Sequence, residues 1–115
     1  MVLVSKERYL QDNLSIRLGN LASNLARISS RCQAKSDRHL VESLLQESKF
    51  FIEWTAPEFE VEIAAELVEL QIQLACWQYS LAEIWDDAKQ LQIVAQKARL
   101  RSDRVLSLSG LLSLN

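Results

Sequence analysis

With 115 residues, 49% of them hydrophobic and 24% charged, the chain has the length and balance of one globular domain. It is long enough to bury a core without a metal or disulfide staple. Two glycines and one proline are too few for the turns of a β-sandwich or for a glycine-rich phosphate loop, and a net charge of −2 excludes a molecule drawn as a whole to nucleic acid or anionic lipid.

The stretch from Met1 to Tyr9 is too short for a signal peptide. The first helix is expected to start after Ser5, a good N-cap residue, and to run unbroken to about Arg31. Leu14, Leu18, Leu21, Leu25, Ile28 and Cys32 recur at alternating steps of four and three, a heptad seam that fits a helix and no strand. Gly19 falls opposite this seam on a helical wheel. Ser36 and Asp37 punctuate the chain and cap a second helix, whose inner face is Leu40, Val41, Leu44, Leu45, Ser48, Phe51 and Ile52. Pro57 ends it, because the residue before a proline avoids the α region, and proline suits the first turn of a following helix.

The third helix is expected from about Pro57 to Trp85, with Glu58, Glu60 and Glu62 in its first turns, where the helix dipole favours negative charge. At ~1.5 Å per residue it spans roughly 43 Å, against roughly 29 Å for the second helix. That mismatch calls for a partner or a bend. Asp86 and Asp87 mark the last boundary, and the fourth helix follows from about Ala88 to Ser109. Its inner stripe is Leu91, Ala95, Ala98, Ser102, Val105, Ser109 and Leu112, with small residues that admit a close neighbour. The segment from Val105 to Leu114 reads as an apolar tail docking back on the bundle. Short connections force antiparallel neighbours, so residues 1–115 form one all-α domain, an up-down-up-down bundle of about four helices. Helix should exceed roughly 70%, against about one third in an average domain.

Chemistry is hard to find. His39 is the one histidine; it lacks the Glu-x-x-His setting of a di-iron bundle and points away from the core. Cys32 reads as a small apolar residue, and Cys76, among acidic neighbours, as an unactivated thiol. Their spacing matches no zinc pattern, and no metal or cofactor is expected. Free thiols suit a reducing cytosol, and no run approaches the ~18 uncharged apolar residues of a membrane span. Arg17 is the one arginine near an inner face, and one arginine does not make an active site. Lys97, Arg101 and Arg104 form a basic stripe on the last helix. It reads as the electrostatic complement of the acidic third helix, with Arg104 near the level of Glu69, in preference to a nucleic-acid patch.

The third helix carries two apolar faces. Ile63, Leu67, Leu70, Leu74, Trp77, Leu81 and Ile84 form one; Val61, Ala65, Val68, Ile72, Ala75 and Tyr79 form the other. A helix in a simple monomeric bundle needs one such face. Phe50 and Trp54 sit beside the main face of the second helix, where aromatics often mark interfaces. The expectation is therefore a non-catalytic interaction or scaffolding module that pairs with another protein or with itself, most simply as a two-fold dimer. The interface expected is Ala65, Val68, Ile72, Ala75, Tyr79, Phe50 and Trp54. The alternatives are a small helical enzyme and a nucleic-acid binder using the basic stripe.

Overall fold

The computed structural model describes residues 4–113, with side chains described through Leu111. It is 88% helical, with no strand among the described residues. The chain order is α1 (Lys6–Leu10), α2 (Leu14–Ala34), α3 (Arg38–Thr55), a 3-10 turn (Ala56–Glu58), α4 (Val61–Tyr79), α5 (Leu81–Trp85) and α6 (Ala88–Ser113). The long helices α2, α3, α4 and α6 form an antiparallel bundle of 43 × 26 × 20 Å.

Short polar side chains start α1, α3 and α6. Ser5 accepts from the Arg8 amide, Asp37 from Leu40 at 3.1 Å, and Asp87 from both Lys89 and Gln90. Each satisfies an amide that has no partner inside its own helix. The predicted unbroken first helix is corrected by Asn13, whose side chain accepts from Ile16 at 2.9 Å and begins α2 afresh after α1 ends at Leu10. The α2–α3 turn puts Lys35 and Asp37 in the left-handed region, which reverses the chain within three residues.

The predicted third helix is also interrupted. The 3-10 turn holds Pro57, and Ser80 (φ −101°, ψ 13°) ends α4. At ~1.5 Å per residue α4 is then roughly 28 Å long, close to α3 at roughly 27 Å. The length mismatch is thus removed by a bend. Beyond Ser80 the chain leaves α3, and α5 packs Leu81 and Ile84 against α6.

Most positions of the seams expected from periodicity are buried, with Leu14, Leu40 and Ile63 half-buried. Leu18, Leu21, Leu25, Ile28 and Cys32 of α2 meet Val41, Leu44, Leu45, Phe51 and Ile52 of α3, and Leu67, Leu70, Leu74 and Trp77 of α4 close the core. α2 makes its most extensive contact with α6. There Ser15 and Ser109 each donate a hydroxyl to the other's carbonyl, at 3.0 and 2.7 Å. Ser102 donates to the Ala22 carbonyl and Ser29 to the Ala95 carbonyl, both at 2.7 Å. Each seven-residue advance along α2 matches a seven-residue return along α6, so the hydroxyls form a ladder. A helical carbonyl keeps a second lone pair after its own ladder bond, and only serine and alanine let the backbones come close enough to use it.

Two readings of this pair change. Gly19 does not lie away from the seam; a Cβ there would sit 3.9 Å from the Ser109 hydroxyl. The Val105 segment is no folded-back tail, because α6 continues unbroken to Ser113 alongside α2, with Val105, Leu108 and Ser109 buried. The Leu112 side chain and Leu114 lie outside the described residues.

Ala98 is fully buried on the inner stripe of α6. Ala98→Leu should cost ~1–3 kcal/mol through overpacking, read as a lowered denaturant midpoint; a wild-type midpoint would mean that the contact yields without cost.

Candidate interaction surface

α4 is held along both flanks. On the α3 side the Gln71 amide donates to the Lys49 carbonyl at 3.0 Å, and the Gln78 amide donates to the Gln46 side chain at 2.9 Å. On the α6 side Arg104 forms a two-pronged bond to Glu66 at 2.8 and 3.0 Å, and Arg101 donates to Gln73 at 3.2 Å. With Leu67, Leu70, Leu74 and Trp77 locked inward, these bonds fix the rotation of the helix. Its opposite side faces out. Val61 is 80% exposed, Val68 43%, Ile72 59% and Tyr79 92%, with Ala65 and Ala75 also exposed.

Of the other residues singled out from sequence, Phe50 lies beside this strip and Trp54 stacks on Phe50. Phe50 and Trp54 are half-buried and stack with centroids 5.4 Å apart. Trp54 continues inward to Phe51 and Tyr9, which stack at 4.0 Å. Phe50 shares a shallow groove of about 350 Å³ with Gln46, Lys49, Glu53, Gln71, Ile72 and Ala75. The structure thus brings Phe50 together with Ile72 and Ala75, while Val61, Ala65, Val68 and Tyr79 extend the same face along α4.

The basic stripe turns towards α4 as charge complementarity requires, although Arg104 meets Glu66 and not the Glu69 expected at its level. The bond to Arg104 holds the Glu66 carboxyl below its usual range. Arg101 is also engaged, through the neutral Gln73 amide, which leaves Lys97 as the member of the stripe with neither a side-chain hydrogen bond nor an ion pair among the described residues.

Arg17 is buried, and its guanidinium closes one end of the bundle. It donates to the Asp12 carbonyl at 2.8 Å and pairs with Glu58 of the 3-10 turn. Beside it the Tyr9 hydroxyl donates to the Arg17 carbonyl at 3.0 Å and accepts from Thr55 at 3.4 Å. Asn24, overlooked in the sequence, is buried and donates to Glu47, whose second oxygen accepts from the Val4 amide. Its place between Leu21 and Leu25 on the apolar side of α2 was the available signal. His39 and Cys76 are exposed, and Cys32 is buried. Among the described residues no three His, Cys, Asp or Glu side chains are grouped to hold a metal, and no helix is long and apolar enough to cross a membrane. No protein-family profile, curated protein or solved structure matches this chain.

Burial pushes the Tyr9 phenol from its ordinary 10.0 up to about 12 and the Cys32 thiol from 9.0 up to about 11. Both groups hold their proton more tightly when folded, so their contribution is complete below pH 9. It is lost as the pH rises through 11 and 12, with an upper bound of about 2–3 kcal/mol each. The denaturant midpoint should fall over that window, and Tyr9→Phe should flatten its upper half while costing about 1 kcal/mol at neutral pH for the lost hydrogen bond. A wild-type midpoint unchanged to pH 12 would contradict this.

Proposed function

We propose that this chain is a non-catalytic helical interaction module that self-associates through the outer face of α4. The observation that carries the reading is the second apolar face itself. The inner face of α4 is fully occupied by its own bundle, and Val61, Val68, Ile72 and Tyr79 remain in water. A contiguous apolar strip rimmed by polar residues is the usual signature of a protein contact. Phe50 and Trp54 widen the strip with aromatic area of the kind enriched at interface centres.

The interior supports a non-catalytic role. Among the described residues, the buried polar side chains of Arg17, Asn24, Ser29, Thr55, Ser102 and Ser109 each bond another part of the bundle, and Ser48 alone is fully buried with an unpartnered hydroxyl. One buried hydroxyl does not make an active site. The basic stripe is largely engaged with α4, which favours protein over nucleic acid as the partner. Two free cysteines suit a cytosolic setting.

Ile72→Glu tests the proposal. Ile72 is already 59% exposed, so the variant should keep the helical signal of the wild type. A carboxylate without a partner, buried in an apolar seam, should split the assembly. Light scattering at high micromolar concentration is expected to give the mass of a dimer for the wild type and of a monomer for Ile72→Glu. A monomeric wild type, or a variant with wild-type mass, would overturn it.

A further inference from the structure

We infer that two copies pair through antiparallel α4 helices, about a two-fold axis at the level of Leu70. The inference rests on the docking face proposed above and assigns its occupant and register.

The exposed residues are spaced as a heptad seam. From Val61 through Ala65, Val68, Ile72 and Ala75 to Tyr79 the steps alternate between four and three, the spacing by which helices pack knobs into holes. The order also reads the same from either end. Inverting the helix about Leu70 places Val61 level with the copy's Tyr79, Ala65 with its Ala75, and Val68 with its Ile72. A large residue lies at each end, an alanine comes next, and two branched aliphatics occupy the centre. An isologous contact requires a surface complementary to itself.

Charge selects the antiparallel direction. In a parallel pair the α4 N-termini, with Glu60 and Glu62, would lie side by side, and the helix dipoles would add to the repulsion. In the antiparallel pair Glu62 moves to the level of the copy's Gln78. The register set by Arg101 with Gln73 and Arg104 with Glu66 places Lys97 between the levels of Gln73 and Trp77, within about one helical turn of it. Lys97, with neither a side-chain hydrogen bond nor an ion pair among the described residues, reaches the copy's Glu62 from there. The flank facing its own copy then carries Glu62, Glu66 and Glu69 against Lys97, Arg101 and Arg104. The two Glu69 side chains approach each other inside an otherwise neutral strip. On the other flank the groove beside Phe50 takes the copy's α4 at the level of Val68, adding area that one helix seam lacks.

Cysteine cross-linking tests the register with the full chain. In the antiparallel pair the two Cys76 residues lie about twelve residues apart along the axis, roughly 18 Å, beyond disulfide reach. In a parallel pair they would lie at the same level. Position 69 lies roughly 3 Å from its own copy along the axis. Under mild oxidation, Glu69→Cys in a Cys76→Ser background should give a covalent dimer, and the wild type should not. Lys97→Glu should weaken the dimer of the wild-type sequence about threefold or more, and adding Glu62→Lys should restore it. Cross-linking through wild-type Cys76, or a dimer that Ile72→Glu splits but Glu69→Cys does not link, would overturn the antiparallel register while leaving the docking face in place. A chain that is monomeric throughout would remove both.

Discussion

The contact between α2 and α6 fixes the distances on which the rest of the bundle depends. Serine and alanine at seven-residue intervals let the two backbones approach, and the hydroxyls of Ser15, Ser29, Ser102 and Ser109 bond carbonyls on the facing helix. A bulky side chain at any rung would separate the helices and break those bonds together, because the spacing is shared along the whole interface. With this pair drawn tight, α3 packs against α2, and α4 packs against α3. Contact between α4 and α6 is then made by long side chains, Arg101 and Arg104 reaching Gln73 and Glu66. A helix attached in this way covers the core with one side and turns the other to solvent.

Polar groups inside the bundle follow the same logic. A buried hydroxyl, amide or guanidinium is tolerated where it finds partners. Arg17 joins α2 to the 3-10 turn through Glu58, Tyr9 joins α1 to α2 and α3, and Asn24 joins α2 to α3 through Glu47. These bonds tie down the short elements that apolar contact alone would hold weakly. Surface charge is used similarly. The acidic α4 and basic α6 neutralise each other across a seam where the backbones do not touch, and the flank of the exposed apolar face is left balanced in charge.

Much of this architecture is legible in the sequence, because burial has a period. The seams of α2, α3, α4 and α6, the caps at Ser5, Asp37 and Asp87, and the stop at Pro57 follow from local residue chemistry. So does the two-faced character of α4, since Val61, Ala65, Val68, Ile72, Ala75 and Tyr79 are separated from the Leu70 face by about half a turn of the helical wheel. Only the tertiary structure decides which face is the core, because two apolar stripes on one helix are equivalent until neighbours choose between them. Leu67, Leu70, Leu74 and Trp77 fill the space left by α2, α3 and α6, and the smaller set does not. The breaks at Asn13 and Ser80 belong to the same class: both residues sit in runs with helical periodicity, and the chain turns there to bring Tyr9 and Leu81 onto the core. The pairing of Arg104 with Glu66, one turn from its expected partner, is likewise set by helix packing and side-chain reach. The sequence determines which residues seek burial and where helices can begin; three-dimensional packing determines which of them obtain it, because burial depends on neighbours distant in the chain.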